Sequence, residues 1–256
     1  MATPIICFHG VCKRFADKDG GDLASFAVRD LTFAVERGEV IAVVGRTGCG
    51  KSTMFNLLTG LIEPTSGTIA VHGRDPFRDF DWFRGKISVV FQNDRLLPWR
   101  TAIENVAYGL ELNRVAEEDR LRIAREWLER LGLKGYEDVY PHALSGGMRQ
   151  RVSIARAFAV NPEFLLCDEP FSALDELTAE KLRAEFVRLV RENRKTSIFI
   201  THSINEALAL GERILVFQPP AFIALEVLPA HARTEVERAA MKDAILNAMT
   251  AGTAAH

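Results

Sequence analysis

The run Val40-Ile41-Ala42-Val43-Val44-Gly45-Arg46-Thr47-Gly48-Cys49-Gly50-Lys51-Ser52-Thr53-Met54-Phe55-Asn56-Leu57-Leu58 decides the fold. Its first five residues are continuously apolar and largely β-branched, the pattern of a strand buried on both faces of a parallel sheet. Its last residues, from Thr53, read as a helix. Between them, glycines and a Lys-Ser pair satisfy G-x-x-x-x-G-K-[ST] at every position. Glycines there let the backbone wrap until its N–H groups converge on phosphate oxygens, and the helix N-terminus adds a favourable dipole. Lys51 supplies a point charge to the β- and γ-phosphates, and the Ser52 hydroxyl ligates Mg²⁺. Gly45, Arg46, Thr47, Gly48, Cys49, Gly50, Lys51, Ser52 and Thr53 therefore form the candidate nucleotide cradle. Cys49 stands beside Lys51 and a helix start, both of which lower a thiol's pKa, so a reactive thiol is expected.

The rest of the chain fits one large domain or two small ones. It has 256 residues, 48% of them hydrophobic, and 32 Lys plus Arg against 34 Asp plus Glu for a net charge of −2. Such a balance argues against an electrostatic nucleic-acid binder and against disorder. No apolar run approaches the ~20 residues of a membrane span, and no signal peptide is evident. Cys7, Cys12, Cys49 and Cys167 have no framework spacing, which suits a reducing compartment.

Residues 5–15 and 26–44 carry β-rich patterns, split by a polar insert at 17–22 that reads as a turn. Residues 67–71, 87–91, 164–167 and 197–201 are further strand candidates. Ile123, Ala124, Trp127, Leu128 and Leu131 fall at helical spacing, and the segment from about Pro98 to Met148 reads as an inserted helical subdomain. Leu182, Phe186, Leu189 and Val190 mark another helix. From about Pro229 the chain is weakly helical, with Val236, Ile245, Leu246 and Met249 as its apolar positions.

Two further motifs bear on chemistry. Phe164-Leu165-Leu166-Cys167-Asp168-Glu169 puts two carboxylates at the end of a parallel strand, where open sheets bind ligands. Alone the pair reads equally as a helix cap. After a phosphate loop, Asp168 is a Mg²⁺ residue and Glu169 a base for the attacking water. Leu144-Ser145-Gly146-Gly147-Met148-Arg149-Gln150-Arg151 opens a helix with a hydroxyl and unpaired N–H groups, which by shape is either a second anion site or an ordinary cap.

With phosphate loop, Gln92, Leu-Ser-Gly-Gly-x-x-Gln, Asp-Glu and His202 in this order, the chain resembles the ATP-binding subunits of ATP-binding-cassette (ABC) transporters over roughly residues 5–217. The resemblance implies an α/β phosphate-loop ABC ATPase core. Its mixed sheet has an antiparallel β-portion, and a helical subdomain is inserted at about 98–150. The ABC domain then covers 1–217 and a tail 218–256. It implies ATP and Mg²⁺ as cofactors. Gln92 and His202 would join Glu169 as catalytic residues, and Ser52, Gln92 and Asp168 would hold the metal. Phe15 would stack on adenine, unless it is a core or edge aromatic. Ser145, Gly146, Gly147, Gln150 and Asp175 would serve nucleotide binding, the signature of one copy completing the site of a second in a head-to-tail dimer.

Leu96-Leu97-Pro98-Trp99 after Gln92, with Gly-Gly-Met-Arg-Gln-Arg, is similar to importer ATPases for nitrate, sulfonates and taurine. That similarity implies partners: a separate membrane permease and, indirectly, an extracytoplasmic substrate-binding protein, with no nucleic acid. It also implies a peripheral place on the cytoplasmic face of the inner membrane. Leu96 to Trp99 either pack as core or line a groove for a permease helix. Gln218-Pro219-Pro220-Ala221-Phe222 departs from the pattern, which leaves the tail and the solute open. A soluble non-transport ABC ATPase and an exporter subunit are the alternatives. The lack of a long insert between Lys51 and Ser145 and of a second cassette argues against the soluble alternative.

Overall fold

A computed structural model of the protein describes residues 4–15, 25–232 and 234–251. The insert at 17–22, predicted as a turn, lies outside the described residues. Along the chain run β1 (Ile6–Phe15), β2 (Ser25–Val35), β3 (Val40–Gly45), α1 (Lys51–Leu58), β4 (Ser66–Val71), β5 (Ile87–Val90), α2 (Ala102–Leu112) and α3 (Glu117–Arg130). They are followed by α4 (Gly146–Ala159), β6 (Phe164–Asp168), α5 (Glu176–Glu192), β7 (Thr196–Thr201), α6 (Ile204–Leu210), β8 (Arg213–Gln218), β9 (Phe222–Val227) and α7 (Glu235–Thr250). The chain divides into two compact units, Met1–Phe83 with Thr196–His256, and Arg84–Lys195.

The first unit is built on two sheets. β1 pairs antiparallel with β2 and with β4, and Phe8 lies opposite Phe33 with the rings stacked 4.6 Å apart. β3 pairs in parallel with β7 and β8, and all six of its residues are buried. That burial on both faces is why β3 reads as an uninterrupted apolar run rather than an alternating one. One face of this sheet packs Ala42, Val44, Ile214 and Val216 against Ala207 of α6 and Ile245 of α7.

The sheet runs on past residue 217, since β8 pairs antiparallel with β9. Sequence reading had no strand there. β9 is an edge strand with alternating half-buried and exposed residues and no fully buried one, so its pattern is weak. The tail helix is well formed rather than weak. Thr234 and Glu237 make a reciprocal capping box at its start. Of its four expected apolar positions Ile245 is buried, whereas Val236 and Leu246 are exposed.

The second unit pairs β5 with β6 in parallel and carries α2 to α5. The helical stretch expected at 98–150 comprises α2, α3 and α4 and extends to Ala159. Ala124, Leu128 and Leu131 are buried as the periodicity required, and Trp127 meets Phe158 of α4 with ring centres 5.1 Å apart. Thr101 and Glu104 form a capping box that fixes the start of α2.

Candidate nucleotide-binding site

In the first unit the strand–loop–helix has the geometry its sequence demands. β3 ends at Gly45, and Gly48 and Gly50 take positive φ of 82° and 99°. A Cβ on Gly50 would stand 2.4 Å from the Ala27 carbonyl oxygen and 2.6 Å from Ala221 Cβ, so only glycine lets the loop sit this close to its neighbours. α1 starts at Lys51 with no side-chain cap, which leaves its first-turn N–H groups for an anion. Lys51 is 7% exposed and donates from Nζ to the carbonyls of Gly45 at 2.7 Å and Arg46 at 3.0 Å. Ser52 is exposed at the helix start and Thr53 half-buried. Arg46, Thr47 and Gly48 are exposed along the loop.

Cys49 does not behave as expected. Its side chain turns inward, with Sγ 2.7 Å from where a Cβ on Gly45 would lie, and the residue is 1% exposed. Burial is the dominant influence and pushes the thiol up, against the smaller lowering effect of Lys51. The predicted low-pKa, reactive cysteine is thus a buried, protonated one.

His202 follows β7 directly. The parallel register Val44↔Thr201 sets it at the same sheet edge as Gly45. His202 is exposed, and the turn that carries it is held from beneath. Thr201 Oγ1 donates to Glu206 Oε2 at 2.6 Å, Ser203 N–H donates to Thr201 Oγ1 at 3.0 Å, and Ser203 Oγ caps α6 by accepting from Glu206 N–H. Sequence reasoning missed Thr201 and Glu206. A Ser three residues before a Glu at a helix start was the available signal. Phe15 closes β1, is 46% exposed, and has Lys13 Nζ 5.3 Å from its ring centre.

In the second unit the register Val90↔Cys167 places the segments after β5 and β6 side by side. Gln92 is exposed two residues beyond β5, and Asp168 and Glu169 are half-buried at the end of β6. Glu169 takes φ +47°, an unfavourable conformation for a non-glycine residue. Its carbonyl accepts from Ser172 N–H at 3.2 Å and from Ser172 Oγ at 3.0 Å, which holds that turn.

Gln150, expected among the nucleotide-binding residues, is instead interior. It is 4% exposed, and its Nε2 donates to the Phe91 carbonyl at 3.3 Å and the Pro170 carbonyl at 2.7 Å. The helical period explains this: five residues after Ser145, the side chain faces the core side of α4.

Ser145 is the N-cap of α4, its Oγ accepting from Met148 N–H at 3.3 Å, and Ser145 and Gly146 are exposed. Gly147 meets Thr178: a Cβ there would lie 3.0 Å from Thr178 Cγ2. Asp175 is the N-cap of α5, and hydrogen bonds from Thr178, first from its side chain and then from its backbone N–H, hold the Asp175 carboxyl below the usual range.

The expected metal donors, Ser52, Gln92 and Asp168, are a hydroxyl, an amide and a carboxylate. All offer hard oxygens, and the described residues contain no cluster of three His, Cys, Asp or Glu that could hold a metal alone. That set suits Mg²⁺, which takes few protein ligands and keeps waters and substrate phosphates.

A buried parallel strand, an open glycine loop and an uncapped helix start carrying Lys51 and Ser52 define a phosphate-loop nucleotide-binding protein of the α/β class. The ABC transporter family model matches residues 28–172, and the chain belongs to that family. The glycine betaine/proline betaine transport system ATP-binding protein ProV of Salmonella typhimurium is 43% identical over 199 residues, which is 76% of this chain and 50% of that protein. The taurine import ATP-binding protein TauB of Pelagibacter ubique is 42% identical over 196 residues, 75% of this chain and 71% of that protein. This chain thus spans about half the length of ProV and more of TauB. Among solved structures, the dimeric ATP-binding cassette MJ0796 bound to ADP and Pi is similar with a TM-score of 0.76 and 33% identity, covering 88% of this chain and 98% of that one.

Proposed function

We propose that the chain is the ATP-hydrolysing, nucleotide-binding subunit that powers import of a small solute through a separate membrane permease. The observation that carries this reading is the union of an open phosphate loop with a Ser145-Gly146-Gly147 helix start, exposed at Ser145 and Gly146, in one ABC-family chain. No helix among the described residues is long and apolar enough to cross a membrane. Two copies pack head to tail. Each site takes Phe15, the phosphate loop, Gln92, Asp168, Glu169 and His202 from one copy and Ser145, Gly146 and Gly147 from the other. The dimeric state named for MJ0796 supports that arrangement.

The roles follow from the chemistry of the side chains. Lys51 and the loop N–H groups bind the phosphates and preorganise positive charge around them. Glu169 takes a proton from the attacking water, and Gln92 and His202 orient the water and the γ-phosphate. Ser52, Gln92 and Asp168 would hold Mg²⁺, which neutralises phosphate charge when bound.

On this reading the permease docks in the second unit's open groove of about 650 Å³, and the support is its lining of Phe91, Leu97, Tyr108 and Leu112 with Arg84 and Arg95. Mixed apolar and cationic walls suit a short amphipathic helix. The subunit then lies on the cytoplasmic face of the inner membrane and serves, through the permease, an extracytoplasmic substrate-binding protein. The solute is a small anion such as nitrate, a sulfonate or taurine, a reading supported by the likeness to TauB. The likeness to ProV favours a betaine as the second reading. The test is reconstitution with candidate permeases from the same genome: ATP-dependent uptake of labelled taurine, nitrate and glycine betaine separates the two, and ATPase activity without any uptake or permease binding refutes the transport reading.

A further inference from the structure

Three residues of α4 grip the segment on either side of Gln92. Arg149 Nε donates to Asp94 Oδ2 at 3.0 Å, Arg156 donates to the carbonyls of Asp94 and Arg95 at 2.7 and 2.8 Å, and Gln150 donates to Phe91. Gln150 differs from the two arginines because its same amide nitrogen also donates to Pro170. One buried side chain thus holds the residue immediately before Gln92 and the residue immediately after Glu169. It does so from a helix whose N-terminus is Ser145-Gly146-Gly147.

We propose that Gln150 is a positioning residue that couples the two nucleotide sites of the dimer. The inference rests on the head-to-tail reading above. There, Ser145 to Gly147 of one copy meet the nucleotide held by the other copy, so occupancy of that second site pulls on α4. Gln150 lies one and a half turns further along α4 and passes the shift to this copy's own Gln92 and Glu169. Glu169 is poised for such control. Its left-handed backbone is pinned by Ser172 on its own carbonyl and by Gln150 on the next, so losing one pin lets the strained turn relax and carries the carboxylate away from the water. A side chain that only stabilised the fold would change neither the cooperativity nor the balance between kcat and KM.

Gln150→Met tests this, because methionine keeps the volume and lacks the donor. ATPase rate against ATP concentration is measured for wild type and variant, with the melting temperature of each. The expected wild-type Hill coefficient is well above 1. The variant should fall to about 1 and lose at least tenfold in kcat, with KM within threefold and melting within a few degrees. Gln150→Glu carries acceptors where donors are needed and should be as impaired at neutral pH. Lowering the pH protonates the new carboxyl, restores one donor, and should recover part of kcat relative to wild type. A wild-type Hill coefficient of 1, or a Gln150→Met protein that keeps both its cooperativity and its kcat, overturns the proposal. The reading beneath it fails separately, if wild-type protein neither hydrolyses ATP nor dimerises with it.

Discussion

Lys51 Nζ lies 2.7 Å from the carbonyl oxygen of Gly45, the last residue of the strand that leads into its own loop. The ammonium folds back over the loop, donates a second bond to the Arg46 carbonyl, and stands 3.9 Å from Cys49 Sγ. Three donors on one compact cation are thereby held at the mouth of the cradle. A phosphate entering the loop meets a charge already desolvated and oriented, which is the condition for strong electrostatic binding.

Lys51→Ala is therefore expected to weaken ATP binding by ~100-fold or more, about 3 kcal/mol, and to remove turnover. Titration with a fluorescent ATP analogue reads the affinity, and circular dichroism checks that α1 persists. Affinity within twofold of wild type refutes the role.

Glu169→Gln keeps the shape and hydrogen-bonding capacity of the side chain and loses its basicity. ATP affinity should stay within threefold while turnover falls at least 100-fold. With hydrolysis blocked, Mg-ATP should shift the protein to a dimer in sizing chromatography. A variant that turns over at the wild-type rate shows that another group takes the proton.

Cys49 offers a pH test. Its thiol is raised above the ordinary value of 9.0, with burial as the first cause, so the folded protein holds that proton more tightly than the unfolded chain does. Folding stability is then full below about pH 9 and falls as pH rises through the folded value. Cys167, fully buried beside Asp168, adds to the same alkaline loss because burial raises it further. Urea melts of wild type and Cys49→Ala at pH 7.5 and 10 should show the wild type losing more stability than the variant. Native Cys49 should also resist alkylation at pH 7.5 and react on unfolding. Fast labelling of the folded protein contradicts the buried placement.

How far the sequence carries the structure depends on the kind of signal. The phosphate loop was legible because its glycines answer a backbone requirement: Gly50 needs φ +99° and a close approach to Ala27, and no other residue type supplies both. Strand β3 was legible from its burial on two faces. The direction of Cys49 was not, since loop position says nothing of which side of the loop a short side chain takes. Gln150 was misplaced for a related reason. Its place in the signature spelling suggested a ligand contact, while the helical period turns it towards Phe91 and Pro170. β9 escaped notice because edge strands bury too little to show alternation. Thr201 and Glu206 needed the tertiary structure to meet.

Trp99 carries the last prediction. Sequence left Leu96 to Trp99 between core and partner surface, and the structure divides them. Leu96 is 9% exposed, Leu97 lines the groove, and Trp99 is 70% exposed. So large an exposed aromatic on a loose turn would collapse inward, yet this turn is rigid. Asn105, fully buried on α2, accepts from Leu97 N–H at 2.7 Å and donates to the carbonyls of Leu97, Arg100 and Thr101 at 3.0–3.1 Å. Pro98 fixes its own φ within the same turn. Arg100 next to it pairs with Glu111 at 2.6 Å. An aromatic held outward by such a frame is a ready anchor for a partner, and aromatic anchors dominate binding energy at interfaces. Trp99→Ala should leave the melting temperature within about 2 °C, because an exposed side chain removes little packing. Basal ATPase of the isolated subunit should stay within twofold. Co-purification with the permease should drop at least tenfold, and solute-stimulated turnover should be lost. Asn105→Ala is the control: it frees the turn, leaves its carbonyls unsatisfied, and should lower both melting temperature and permease binding. A Trp99→Ala subunit that assembles with the permease and supports uptake at the wild-type rate removes Trp99 from the coupling surface.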